Sequence, residues 1–497
     1  MSNPSLQVYG GDEISAVVID PGSYTTNIGY SGTDCPQVTL PSRYGQYISE
    51  EEEKDEQDQQ EDDGKLKQKV FSEQSIGLPR NNYQIKPIVR NGSVIDWDSA
   101  QEQWSWAIQH ELHFESTKGM PAFLTEPIWN TEENRKKSLE VLLENMEFEA
   151  CFLSPTPTCV SFAMGRPTCL VVDIGHDVCS VSPVVDGMTL SKSSTSNFIA
   201  GSLLNALLSK QLDPKKTVPL FQIAQRHPNF IPKKFDFEVD PSLFKFGNER
   251  WFFQECKETL FQVTPATLEK CKQELETMAK RSIEAPTGEE IVFENDVRYG
   301  FAEQLFRPIR ENIPQDWNVS IDGVVETWHN DYVPLKRTKP GSNSKEAKEG
   351  TAEPTPAPEE ANEDGIDSSE TPNENGKRPV DDNLESKNEI AGLTDLIYSS
   401  IMATDVDLRA TLAHNVVVTG GTSSIPGLTD RIMAELNKSL PALKFRMLTS
   451  GHLKERQYQS WLGGSILSSL GTFHQLWVGK QEYEEVGASR LLKDRFR

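Results

Sequence analysis

The chain runs to 497 residues with a formal net charge of -25, a hydrophobic fraction of 36% and a mean hydropathy of -0.52. That length calls for two or more lobes, and the low apolar fraction places part of it outside any core. The charge argues against a general grip on nucleic-acid phosphates. The N-terminus MSNPSLQVYGGDE lacks a basic-then-apolar leader, and the chain has no run of about 18 apolar residues, so a soluble, non-secreted protein is expected. The seven cysteines, Cys35, Cys151, Cys159, Cys169, Cys179, Cys256 and Cys271, form no CxxC pair. This argues against a disulfide framework or a zinc site, and most of them read as small buried residues.

The first element is VVIDPGSYTTNIGYSG, residues 17–32. A β-branched strand ends at Asp20, turns at Gly22 and returns as a second strand. A glycine in such a turn lets the backbone approach closely, so that successive N–H groups point at phosphate oxygens. Ser23 and Thr25 add hydroxyl donors. EEEEKDEQDQQEDD, residues 50–63, follows with a net charge of -9 from ten acids and one lysine. Like charges at this density repel and stay solvated. VIDWDSAQEQWSWA, residues 94–107, then reads as a helix with Trp104 and Trp106 toward the core.

A second copy of the hairpin comes at CLVVDIGHDVCSVSPVVDG, residues 169–187, where Asp173 and Gly175 match Asp20 and Gly22. A helix with apolar residues at helical spacing, FIAGSLLNALLSKQL, follows it. A duplicated hairpin implies two similar α/β lobes facing each other across a cleft. The two acids cannot touch phosphate, and would instead hold a hydrated magnesium ion between the lobes.

The stretch 340–388, rich in Pro, Glu, Ser, Asn and Gly, has almost no large apolar residue and is expected to be disordered. The two acidic blocks read either as solvated loop inserts or as arms for basic partners such as histones. KRTKP (336–340) and GKRP (376–379) read either as nuclear-import signals or as simple solubilising charge. A third glycine motif closes the series in HNVVVTGGTSSIPGLTDRIMAELNKSL, residues 414–440. Its buried strand, Gly420–Gly421–Thr422 turn and helix offer free N–H groups to the flat face of a nucleoside. Near the C-terminus, WLGGSILSSLGTF places Ile466, Leu467 and Leu470 on one apolar helix face, which is either core or a docking surface. His110, His113, His414, His452 and His474 are scattered and read as structural.

With these segments in place the sequence resembles the actin family. The likeness rests on VDLRATLAHNVVVTGGTSSIPGLTDRI and RQYQSWLGGSILSSLGTFHQLWVGKQEYEEVG, with VIDWDSAQEQWSWA, FLTEPIWNTEENRKKSLEVLLE and FFQECKETL in family order. It implies the actin-like (ribonuclease H-like ATPase) α/β fold of two lobes and four subdomains. The first lobe would span 1–167, with an acidic insert at 49–69. The second would span 168–441, with its insert at 340–388. The segment 442–497 would return to the first lobe. The resemblance makes Asp20, Gly22, Ser23, Tyr24, Asp173, Gly175, His176 and Asp177 the phosphate loops. Lys257, Glu258, Gly420, Gly421 and Thr422 become the adenosine pocket, with ATP and magnesium as ligands.

The sequence also departs from the family pattern. A lysine that reaches the phosphates falls at Asn27, and one beside the base falls at Gln457. The glutamine that orients the attacking water falls at Thr156, and a histidine beside that water falls at Ser180. Water positioning is most of what a protein supplies to phosphoryl transfer, so binding without appreciable turnover is expected. The acidic run replaces a loop used in filament contacts and the second insert falls at another, so no homo-filament is expected. Ile466, Leu467 and Leu470, with Phe162 and Gly165 near the hinge, would line a groove for an amphipathic helix. QVYGGDEISAVVIDPGSYTTNIGYSG and the long acidic insert point to the family's nuclear members. Those sit beside actin on a remodeller helix in chromatin-remodelling and histone acetyltransferase complexes, engage histones or nucleosomes, and serve transcription and DNA repair. An active ATPase of the heat-shock and sugar-kinase class, or a cytoskeletal filament protein, are the competing readings.

Overall fold

Two six-stranded sheets with the same internal order carry the architecture of the computed structural model, which describes residues 16–48, 69–314 and 390–496. In the first, strand Val17–Pro21 pairs antiparallel with Thr25–Tyr30 and parallel with Pro121–Glu126, which continues in parallel to Ala150–Pro155. In the second, Cys169–Ile174 pairs antiparallel with Cys179–Val185 and parallel with Val416–Thr419, which continues in parallel to Met447–Leu448. Each hairpin therefore opens a sheet whose remaining central strands run parallel, and the duplication read from two short turns extends to both sheets. Met447–Leu448 still belongs to the second sheet, which corrects the boundary expected at 441, and the chain rejoins the first sheet later, where strand Val478–Gly479 pairs with Ala150–Pro155 at its edge.

Alternation along the strands explains the layering. Val17 and Ile19 face a core shared with Trp104, Ile108 and Leu142, while Val18 faces Phe123, Cys159 and Trp461 on the other side. In the second sheet Leu170, Val172 and Ile174 pack with Leu203, Leu204 and Leu396, whereas Val171 meets Val160. Strands covered on both faces read as near-continuous apolar runs, as VVI and CLVV do. The helices Thr156–Ala163 and Gln459–Ser469 lie between the two sheets, and a Cβ at Gly463 would stand 1.8 Å from the Cys159 carbonyl oxygen. Only glycine permits that backbone contact. Helix Trp97–His110 starts where Asp96 accepts the Ser99 N–H at 3.0 Å, a side-chain N-cap.

A third element joins the two halves at the cleft's edge. The small sheet of Arg43–Tyr47, Lys69–Val70 and Tyr83–Pro87 presents Tyr83 and Ile85 beside Ile76, and helix Pro241–Gly247 meets them with Leu243 and Phe246. All five side chains are buried. Trp104 is wholly buried and Trp106 partly so, and the cysteines are free, with Cys35 alone exposed. No helix among the described residues is long and apolar enough to cross a membrane. Both acidic blocks and both basic clusters lie outside the described residues.

Candidate functional site

One cavity of about 1510 Å³ lies between the two sheets. Its wall contains Asp20, Gly22, Ser23, Tyr24 and Thr25 from the first turn, and Asp173, Gly175, His176 and Asp177 from the second. Lys257, Glu258, Gly420, Gly421 and Thr422 line the same space. Residues from three distant parts of the chain are thus brought to one place.

The two turns are built alike. The Gly22 N–H donates to the Thr25 carbonyl and the Gly175 N–H to the Val178 carbonyl, both at 3.0 Å. A Cβ would stand 2.9 Å from the Thr25 oxygen at Gly22 and 3.1 Å from the Val178 oxygen at Gly175, which explains the glycine at both places. Gly420 has φ +86, and a Cβ there would strike the Ile174 carbonyl at 2.3 Å and Asp173 Oδ1 at 2.4 Å. The Thr422 hydroxyl donates to the Gly175 carbonyl at 2.8 Å, so the third glycine motif is stapled onto the second turn.

Asp20 is held by three donors: the hydroxyls of Thr125 and Ser460 and the amide of Asn27. Burial nevertheless raises its pKa above the usual carboxylate value. Burial, with the charge of Asp20 added, pushes Asp173 up to about 7. Asp20, buried, and Asp173, partly buried, disfavour each other's charge and present an all-oxygen donor pair, the chemistry that suits a hard, hydrated divalent cation. No group of three or more His, Cys, Asp or Glu that could hold a metal directly occurs among the described residues. Asn27 spends its amide on Asp20 and its carbonyl oxygen on the Thr39 hydroxyl, so it extends no group into the cleft as a lysine would.

On the other wall burial lowers Lys257 to about 8, against the pull of Glu249 and Glu258. Burial, followed by the charges of Lys257, Arg43, Arg250 and Lys245, holds His176 well below 6.5 and keeps the imidazole neutral at pH 7. Its ring lies 4.9 Å from that of Tyr24, and this contact bridges the two turns.

Several participants went unread in the sequence. Thr125 and Ser460 hold Asp20 from other strands and helices, with no local signal. The Asn91–Gly92 turn, with φ of 51 and 75, donates its N–H groups to Asp177 Oδ2 at 3.0 Å and Ser23 Oγ at 2.8 Å. Asn-Gly between two short strands is a readable turn signal, but nothing in it shows what the turn would touch. Arg250 and Trp129 also line the cavity. Arg456 stands beside Gln457 in the same wall, so the loss of a cation at Gln457 leaves one a single residue away.

The docking residues divide. Phe162 and Leu470 are 37% and 41% exposed, Ile466 is half-buried, and Gly165, at φ +60, faces open space. Leu467 is buried among Trp461, Phe123 and Cys159, which corrects its assignment to the open face. The helix is covered on one side by the first sheet and on another by Thr156–Ala163, so spacing along it did not reveal which side faces solvent.

The actin family model matches residues 11–496. The chain belongs to the actin family. It is 68% identical to actin-related protein 4 of Eremothecium gossypii and 65% identical to that of Saccharomyces cerevisiae, over 100% of each chain in both cases. It is 34% identical to actin-related protein 4 of Schizosaccharomyces pombe, over 97% of each chain. The duplicated sheets around one cleft are the actin-like fold that family membership entails.

Proposed function

We propose that this actin-family chain is a nuclear, nucleotide-holding subunit that binds ATP and magnesium, turns ATP over negligibly and forms no filament of its own. It stands beside actin on an amphipathic helix of a chromatin-remodelling ATPase or acetyltransferase scaffold. There it helps the assembly engage histones in transcription and DNA repair. The full-length likeness to actin-related protein 4 supports the placement in this branch of the family.

The observation that carries the nucleotide reading is the convergence of both glycine turns and the Gly420–Thr422 motif on one cavity. Backbone N–H groups of the turns would take the phosphates, and Lys257 and Glu258 would flank the nucleoside. Asp20 and Asp173 would hold hydrated magnesium, whose chemistry is to neutralise phosphate charge. Against turnover stands Thr156, whose hydroxyl donates to the Glu126 carbonyl at 3.1 Å instead of reaching toward a water. Ser180 lies opposite Asp173 in the hairpin, with only a short hydroxyl stem.

Sedimentation of the full chain with actin and a helical remodeller segment tests the partner reading. A stoichiometric complex of the three is expected, and no filament of this chain alone in magnesium and salt. Pelleting of the chain by itself, or indifference to both partners, would contradict it.

A further inference from the structure

A polyphosphate brings several negative charges to a cleft that already holds Asp20 and Asp173. Among the described residues, four lysine and arginine side chains reach the cavity wall: Arg250, Lys257, Lys454 and Arg456. Lys257 stands on helix Phe253–Leu260 next to Glu258, and Arg456 donates from Nη1 to the Ser423 carbonyl at 3.1 Å beside the third glycine motif. Of the four, Arg250 is the one seated on the first turn. Its guanidinium carbon lies 4.3 Å from the centre of the Tyr24 ring, which in turn meets His176 of the second turn. Arginine, tyrosine and histidine form one run of contacts that spans both turns.

The hydrogen bonding of Arg250 is incomplete. Nε pairs with Glu73 Oε1 at 2.8 Å, and the side chain is only 10% exposed. Nη1 is buried and has no hydrogen-bond partner. A buried guanidinium N–H without an acceptor is costly, and such groups mark places where an acceptor is missing. The planar, always-charged guanidinium also matches phosphate oxygens better than any other side chain.

We propose that Arg250 is the counter-cation of the nucleotide's phosphates, supplying from the second half of the chain the charge that Asn27 cannot supply from the first. Glu73 fixes the guanidinium's orientation and Tyr24 supports its face. This assignment rests on the nucleotide-binding reading above, and it concerns phosphate charge and not the nucleoside.

The test is titration of the nucleotide-free full chain with ATP, ADP and adenosine in magnesium, for wild type, Arg250→Met, Arg250→Lys and Glu73→Gln. Melting curves confirm that each variant is folded. Loss of this positive charge beside the phosphate turns should weaken ATP about tenfold or more, leave adenosine within about twofold, and be partly restored by lysine. Glu73→Gln should leave the ratio of ATP to adenosine affinity close to wild type. If Arg250→Met weakens ATP and adenosine equally, or leaves both unchanged, Arg250 is only a staple across the cleft and the proposal is overturned. A wild type that binds none of the three would overturn the nucleotide reading itself, and this proposal with it.

Discussion

The backbone N–H of Ile85 donates to Ser242 Oγ at 2.8 Å, tying the small sheet to helix Pro241–Gly247 at the edge of the cleft. Around this bond Ile76, Tyr83, Ile85, Leu243 and Phe246 form a buried apolar cluster. Two ion pairs flank it, Arg43–Glu249 at 3.3 Å and Arg250–Glu73 at 2.8 Å. The ion pairs are partly exposed and contribute less than about 1 kcal/mol each, so the apolar cluster holds the edge shut.

Opening that edge must break the cluster. Leu243→Ala removes a wholly buried side chain, a change that costs about 2–5 kcal/mol where packing cannot collapse. Even the lower part of that range, if lost from the closed state alone, speeds release of a fluorescent ATP analogue by about tenfold or more. An unchanged release rate in the folded variant would show that nucleotide leaves without separation of these elements.

Gly420 allows a second test. With a positive φ and no room for a Cβ against Ile174 and Asp173, Gly420→Ala should displace the third glycine motif and empty the cleft of nucleotide. Gly451 lines the same cavity but has nothing within 4 Å of its would-be Cβ, so Gly451→Ala should retain nucleotide. Nucleotide content of the purified variants reads the difference. Equal content in both would mean that the motif does not shape the site.

Lys257 gives the cleft a pH dependence. Its pKa is about 8 in the folded protein, against the ordinary lysine value of 10.5. Because the folded value is the lower, the unfolded chain binds more protons between the two. The nucleotide-free protein should therefore gain stability as pH rises from about 8 to 10.5, while below 8 the full penalty persists. Affinity for ATP should move the other way, since an anion favours charged lysine. It should fall above pH 8 by at most one proton's worth, and Lys257→Met should flatten the curve. A slope that survives the substitution would assign the titration elsewhere.

The docking face separates two leucines that sequence spacing grouped together. Leu467→Asp buries an unpaired charge in the core and should lower the melting temperature. Leu470→Asp and Phe162→Asp lie on exposed positions and should leave melting nearly unchanged. Each should weaken a remodeller helix by up to about a hundredfold, the equivalent of roughly 3 kcal/mol. Titration with that helix checks this, and full affinity in both exposed variants would place the partner on another surface.

Asp20–Gly22 and Asp173–Gly175 were legible because a tight turn after a buried strand needs local residue types, and the same need recurs at Gly420. Ser460 and Thr125 were not, because their role is to meet Asp20 in space, across a fold that local spacing does not encode. The cluster of Ile76 and Tyr83 with Leu243 and Phe246 was hidden for the same reason. Leu467 was misplaced because a helix packed on two sides has more than one apolar stripe, and periodicity does not say which one is left uncovered.

The central claim is a cleft that holds ATP without consuming it. The measurement is single-turnover hydrolysis by the purified chain, made alongside identification of the nucleotide released when the same sample is denatured. The account predicts roughly one nucleotide per chain and cleavage far slower than that of actin assayed in parallel, as expected if the short hydroxyls of Thr156 and Ser180 leave the attacking water unheld. Cleavage at actin's rate, or a chain purified empty that does not take up ATP, would contradict it.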